Sequence, residues 1–216
     1  SRRGGRSLAS VTLLACGCFI VIGVSAMQQD LSAFAHERWS GTGGFALFGE
    51  STLSIPDALE SEKGRDRFGL AREPALADAS IISLKVRDGD DASCFNLNRA
   101  QAPRLLGVDP VAFSDRKAFA GKGRAGEDPW PLLEMELPEG VIPGLAGDAN
   151  TAMWNLRKKA GPEMGDEIVY RDERGEIFRV KLVGTLPMPL SIFQGTVLIA
   201  KQDFMQRYPS EAGYRM

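Results

Sequence analysis

Apolar residues are spread unevenly along this chain. Leu8 to Met27 (LASVTLLACGCFIVIGVSAM) carries no charged side chain, and its only hydroxyl side chains are Ser10, Thr12 and Ser25. A helix buried in a soluble protein shows a polar stripe, and three scattered hydroxyls do not make one. About 20 apolar residues at ~1.5 Å rise per residue match a ~30 Å hydrocarbon core. The run predicts a transmembrane helix over 8–27.

Beyond it the pattern becomes that of a water-exposed domain. Residues 28–39 lack Gly and Pro and predict a helical stalk (28–40 with its flank) that ends where Gly41-Thr42-Gly43-Gly44 breaks it. FALFGESTLSI (45–55) reads as a strand, and Pro56 followed by DALESEKGRDRF as a helix start with proline first and acids in the first turns. ASIISLKVRDG (79–89) and RLLGVDP (104–110) read as strands, and VAFSDRKAF (111–119) as a helix. A GKGRAGED loop, a helical turn in PWPLLEMEL (129–137) and a strand in GVIPGLA (140–146) follow. Asp148 is placed to cap a helix through ANTAMWNLRKKA, with Gly161 as its stop. The clearest local signal is 166–184, where DEIVYRD and GEIFRVKLVG flank Glu173-Arg174-Gly175 as a β-hairpin. GTVLIA (195–200) predicts a last strand and KQDFMQRY (201–208) a short helix. Strands and helices mix without strict βαβ alternation, so the expected fold class is α+β, with mixed strands and either one core or two small lobes.

Charge gives the apolar run a direction. Arg2, Arg3 and Arg6 precede it, and the first acid, Asp30, follows it. Lys and Arg favour the cytoplasmic side, so residues 1–7 are expected inside and 28–216 outside. Two other readings compete. Val24-Ser25-Ala26 resembles a signal-peptide cleavage site, although the run exceeds the ~7–15 residues of an h-region. Cleavage after Ala26 is the outcome that would remove the anchor. Cys16 and Cys18 loosely resemble lipidation sites, yet the run continues past both as FIVIGV where a polar linker would begin.

Residues 28–216 carry 23 basic and 28 acidic side chains. A mildly acidic domain lacks the basic footprint of nucleic-acid binding, so no nucleic acid is expected. Cys94 is alone beyond the apolar run, which rules out a disulfide within that region. The length suffices for a core that does without one.

Candidate chemistry thins out on inspection. His36 is the sole histidine, so any Ser-His-Asp or Cys-His site must use it, and an exposed stalk position is the simpler expectation. Asp88-Gly-Asp90-Asp91 starts like a calcium loop, but positions six and twelve are Ser93 and Arg99 instead of Gly and Glu. Gly121-Lys-Gly123-Arg-Ala-Gly126 fits GxGxxG without the strand before it or the helix after it. No GxxxxGK[ST] is present, so any ATP used by this system is bound by another polypeptide. The pairs Glu134/Glu136 and Asp172/Glu173 read as ordinary polar positions. Trp130, Trp154, Phe193 and Met188 could line an apolar groove, with core packing as the default. The reading is therefore of a protein that is not an enzyme, with no catalytic, cofactor or metal residues; a hydrolase using acids alone is the remote alternative.

The Arg-flanked span 2–27, RLLGVDPVAF (104–113), GVIPGLAGDANTAMWNLRKKAG (140–161) and MGDEIVYRDERGEIFRVKLVGTL (164–186) together resemble the FtsX-like/MacB-like permease family of ABC transporters. The last stretch carries the family's succession of Gly-Asp turn, hairpin and a strand ending in Leu182-Val183-Gly184. Region 85–103, with Cys94, departs from the pattern. The resemblance implies a bacterial inner-membrane subunit whose residues 41–216 form an extracytoplasmic (periplasmic) domain. It implies a separate cytoplasmic ATPase subunit, further transmembrane helices after Met216, a homo- or heterodimer, and an extracytoplasmic protein partner. Its expected work is to couple ATP-driven motion to export or extraction of a lipid, lipoprotein, peptide or drug. The competing expectation is a membrane-anchored or secreted ligand-binding protein.

Overall fold

A computed structural model describes residues 2–26, 34–76, 79–90, 101–121 and 128–216. Cys94, Asp91 and most of the GKGRAGED loop lie outside the described residues. The chain divides into two units, 1–34 and 35–216.

The first unit is helix α1, Arg2–Ala26. Within it Ser7–Ala26 is long and apolar enough to cross a membrane, and none of that stretch is buried in protein. Leu13 and Phe19 are 78% and 77% exposed. Apolar area costs roughly 25 cal/mol per Å² in water, so such a helix demands an apolar environment. By length and composition it meets the requirements of an anchor and of a signal sequence alike.

The second unit is built on one six-stranded sheet: β1 (Lys85–Arg87), β2 (Arg104–Val108), β3 (Val141–Ala146), β4 (Glu167–Arg171), β5 (Ile177–Thr185) and β6 (Thr196–Ala200). Their spatial order is β1-β2-β6-β3-β5-β4. β2–β6 and β3–β5 pair in parallel, while β1–β2, β6–β3 and β5–β4 are antiparallel. The expected α+β class with mixed strands is the fold observed.

Strand composition explains the order. TVLIA of β6 is apolar except for Thr196 and buried throughout, as a central strand covered on both faces must be. Leu198 and Ala200 face one apolar cluster with Leu106, Val108, Phe113, Trp130 and Phe193. Val197 and Ile199 face the other, with Leu105, Val180, Phe178, Phe204 and Tyr208. The two clusters are opposite faces of one sheet, so a single unit serves where two lobes were the alternative. The edge strand β4 instead alternates, with Ile168 and Tyr170 buried and Val169 and Arg171 exposed. At Gly107 a Cβ would come within 2.8 Å of Phe204, which is how α4 (Lys201–Arg207) packs directly on β2.

Several local expectations hold. The 166–184 hairpin forms, and the Asp172 carboxylate accepts from the Arg174 and Glu176 amides at 2.9 and 2.8 Å to close its turn. A helix forms at the stretch read as one, α3 (Pro110–Asp115), and Asp109 caps it by accepting from Val111 and Ala112, a role the sequence reading did not assign. Trp130–Glu134 is a short 3₁₀ turn.

Other expectations fail for tertiary reasons. Segment 45–55 forms no strand; it meets only an isolated bridge, Ile55 with Tyr214. The helix expected at Pro56 starts at Glu62, where Ser61 accepts from the Gly64 amide, giving α2 (Glu62–Arg67). Of 79–89 only Lys85–Arg87 joins the sheet, because the Leu84 amide donates instead to the Met216 carbonyl. α3 stops short of 119, since Lys117 and Phe119 take positive φ to turn the Phe119 ring into the core. The helix expected to run to Gly161 is a π-helix, Thr151–Leu156, ended by Arg157 at φ 51°. Beyond it the Gly161 amide donates to Leu182 of β5, which pulls the chain back to the sheet.

The described part of the expected stalk helix, 34–39, is a series of turns. Thr42 Oγ1 donates to the Ala35 carbonyl at 2.8 Å and so bends the backbone upon itself. The same segment is tied to the domain: Phe119 donates to the Arg38 carbonyl at 2.8 Å, and Ile192 to that of Gly41 at 2.8 Å. Gly43 has φ +62°, and a Cβ there would lie 2.4 Å from the Phe119 ring. Gly43→Ala is therefore expected to destabilise the domain by about 1–3 kcal/mol, through overpacking and left-handed strain. A fall in the denaturant midpoint checks this.

Candidate functional site

A concavity lies beside the β1 edge. Three segments wall it: 45–51, 79–84 and the C-terminal Tyr214–Met216. Backbone bonds lace them together. Ser51 donates to the Arg215 carbonyl at 2.8 Å, and Ile55 and Tyr214 exchange bonds of 2.8 Å each way. Arg215 donates to the Leu84 carbonyl at 3.0 Å. Backbone groups thus committed leave a cavity of about 710 Å³ between the segments.

Its interior is largely apolar. Phe45, Phe48, Phe113 and Phe193 form an aromatic wall, with ring centroids 5.9 Å apart for Phe45–Phe113 and 6.2 Å for Phe48–Phe193. Ile55, Leu59, Leu76 and Ile82 contribute aliphatic surface. Leu47, 90% exposed, stands at the rim.

The charged groups on this wall differ in how they are compensated. Arg104 grips Glu50 with both terminal nitrogens, and Arg215 bonds Asp88 at 2.6 Å and approaches Glu50 at 3.6 Å. The Asp88 carboxylate beside Arg215 holds its guanidinium above the ordinary value. Ser83 donates to the Glu60 carboxylate and accepts from the Leu59 amide at 3.2 Å. Arg116 stands apart. It donates to the Gly44 carbonyl at 3.2 Å and lies 4.4 Å over the Phe45 ring. Its buried Nε has no hydrogen-bond partner, and no carboxylate pairs with it among the described residues.

Lys85 anchors the floor from behind. Its ammonium donates to the Glu211 and Gly213 carbonyls, each at 3.0 Å, and lies 4.9 Å over the Tyr214 ring. Burial pushes its pKa below the ordinary lysine value, and neighbouring Lys201 adds to the shift. The two carbonyl acceptors and the ring hold this amine in a structural role.

No family model matches the sequence, and no curated protein matches it.

The residues singled out by sequence scatter. Trp130, Met188 and Phe193 are buried in one apolar cluster, and Phe193 also lines the cavity. Trp154 departs from the core default: it is 69% exposed, because Ala152 and Leu156 take the inward positions of the π-helix. His36 is exposed in the turn at 34–36. Asp90 accepts from the Gln101 and Ala102 amides at 2.8 and 3.0 Å, so it closes a polar turn. Glu134 and Glu136 are exposed. Glu173 accepts from Ser210, whose hydroxyl and amide hold its pKa below the ordinary value. Among the described residues no three His, Cys, Asp or Glu side chains group as metal ligands would.

Arg116 escaped the sequence reading. It lies in VAFSDRKAF, read only as a helix, and nothing local marks it as lacking an acid.

Proposed function

We propose that this chain is the extracytoplasmic portion of an FtsX-like/MacB-like ABC permease subunit. In this reading it is non-catalytic and transmits motion driven by a separate cytoplasmic ATPase to a lipid, lipoprotein, peptide or drug, or to a protein partner outside the membrane. The carrying observation is the arginine-flanked helix α1, whose apolar surface is exposed from Ser7 to Ala26, ahead of a mixed-sheet domain. The stretches that bear the family resemblance contribute four strands of that sheet, β2, β3, β4 and β5. From Ala35 onward the chain is bonded into the domain, with Phe119 donating to Arg38 and Ile192 to Gly41, and this supports the coupling reading.

Topology and partnership are tested separately. A phosphatase reporter fused after Met216 is expected to be active only outside the cytoplasm, and cytoplasmic activity overturns the orientation. In native membranes the parent polypeptide is expected to co-purify with a Walker-motif ATPase, while this chain alone hydrolyses no ATP. Recovery without an ATPase overturns the permease reading.

The 710 Å³ cavity favours a second reading, a membrane-anchored or secreted ligand-binding protein with no transport role. That reading predicts ligand capture by the chain in the absence of any ATPase partner.

A further inference from the structure

We propose that the cavity beside the β1 edge binds a single-chain amphiphile with one anionic head, of the fatty-acid carboxylate class, and that Arg116 receives the anion. The proposal goes beyond the permease reading and does not depend on it.

Three observations carry it. The cavity, about 710 Å³, falls within the ~300–1,000 Å³ typical of small-ligand sites, and its walls are phenyl rings and branched aliphatic side chains. An acyl chain needs such a wall and nothing polar from it. A sugar or nucleotide needs many hydrogen-bond partners, and the wall has few to spare. Ser83 is committed to Glu60 and Leu59, and Glu50 to Arg104 and Arg215.

The charge balance selects the head group. Arg215 is neutralised by Asp88 and Glu50. Arg116 is the remaining cation on the wall, with no carboxylate among the described residues. Among the described residues the wall therefore carries one uncompensated positive charge beside apolar surface, complementary to an anion on an apolar body.

The third observation is the state of the guanidinium. One terminal nitrogen is held by the Gly44 carbonyl, and the plane is steadied over Phe45 at 4.4 Å. The Nε is buried and unbonded. The Nε is closed off from the cavity, so on this half-buried side chain lining the wall it is the terminal nitrogens that a carboxylate would meet in a charge-assisted bond. The two other arginines with a buried, unbonded Nε have other surroundings. Arg104 is paired with Glu50 and stands 3.6 Å from Asp88, and Arg207 lies over Phe178 in the opposite apolar cluster.

The test uses the full chain in phosphatidylcholine nanodiscs with two diazirine-bearing photoprobes, a dodecanoate and a dodecyltrimethylammonium. Cross-linked peptides are mapped by mass spectrometry. The dodecanoate is expected to mark 45–55 and 79–84 at least tenfold more than the cationic probe, while both mark α1 alike. Arg116→Gln is expected to remove the excess on the cavity segments and leave labelling of α1 unchanged, and Arg116→Lys to restore a substantial part of it. Ile82→Trp, which fills the cavity and keeps the arginine, is expected to lower dodecanoate labelling as well, so the result does not hang on one variant's folding. Equal labelling of the cavity by the two probes overturns the proposal, and so does undiminished labelling in both Arg116→Gln and Ile82→Trp. Loss of ATPase co-purification leaves these outcomes untouched, which separates this proposal from the permease reading.

Discussion

Trp130→Ala is expected to bring the 35–216 domain close to unfolding. The side chain is fully buried, stacked on Phe113 at 4.4 Å between centroids and set edge-on to Phe119 at 6.1 Å. Its indole nitrogen donates to the Ala118 carbonyl at 2.7 Å. Removing a buried tryptophan costs about 3–5 kcal/mol through lost transfer energy and the cavity left behind. The orphaned carbonyl adds to the deficit. Against a typical total of ~5–15 kcal/mol, one substitution consumes much of the stability. Trp130→Phe retains a ring for Phe113 and loses the hydrogen bond, so its penalty should be clearly smaller. Urea unfolding of both variants checks the prediction, read as a fall in midpoint at unchanged slope. An alanine variant within 1 kcal/mol of the parent (about fivefold in the folded ratio) would contradict the packing account.

The second large effect is expected at Asp148. Its carboxylate is fully buried, and one oxygen accepts from the Thr151 amide at 2.6 Å while the other accepts from Ser191 at 3.2 Å. Around it the Ser191 hydroxyl donates to the Gly147 carbonyl and accepts from Phe193, and Thr151 accepts from the Gly195 amide. One side chain thus joins the end of β3, the π-helix and the loop that delivers Phe193 to the cavity wall. Asp148→Ala leaves two buried N–H groups without acceptors, each worth roughly 1–3 kcal/mol, so a loss of about 2–6 kcal/mol is expected. Asp148→Asn keeps one acceptor oxygen and sets an NH₂ against the other amide, which places it between parent and alanine. Hydrogen exchange supplies the second readout. The Thr151 and Ser191 amides should lose protection in Asp148→Ala before β5 does, and retained protection at both would show that the carboxylate is not the joint.

The elements that sequence reading recovered share a physical property. The 166–184 hairpin is closed by Asp172 and Gly175 within its own turn, and α3 is capped by Asp109 within three residues. The strand read at GTVLIA forms as β6, Thr196–Ala200, with the Thr196 hydroxyl donating to the Phe193 carbonyl just before it. In each case the decisive contacts lie within a few positions, where spacing and residue type reveal them. Segment 45–55 shows the opposite case. Its apolar residues suit a strand, yet it forms only the isolated Ile55–Tyr214 bridge, and the phenyl rings of Phe45 and Phe48 go to a cavity wall instead. The expected 148–161 helix had its cap placed rightly, because Asp148 does accept from Thr151. Its end comes earlier than Gly161, at Arg157 with φ 51°, and only beyond that does the Gly161–Leu182 bond return the chain to the sheet.

The sequence alone determined a membrane-length apolar helix with a basic flank, a hairpin, a strand at 195–200 and an α+β class. Those follow from periodicity, length and local capping, which are properties of neighbours along the chain. Only the tertiary structure decided the strand order, the welding of residues 35–44 to Phe119 and Ile192, and the cavity closed by Leu84 and Met216. It alone also decided that Arg215 meets two carboxylates and Arg116 none among the described residues. Whether a charge is compensated depends on which distant segments fold against it, and no spacing rule carries that information.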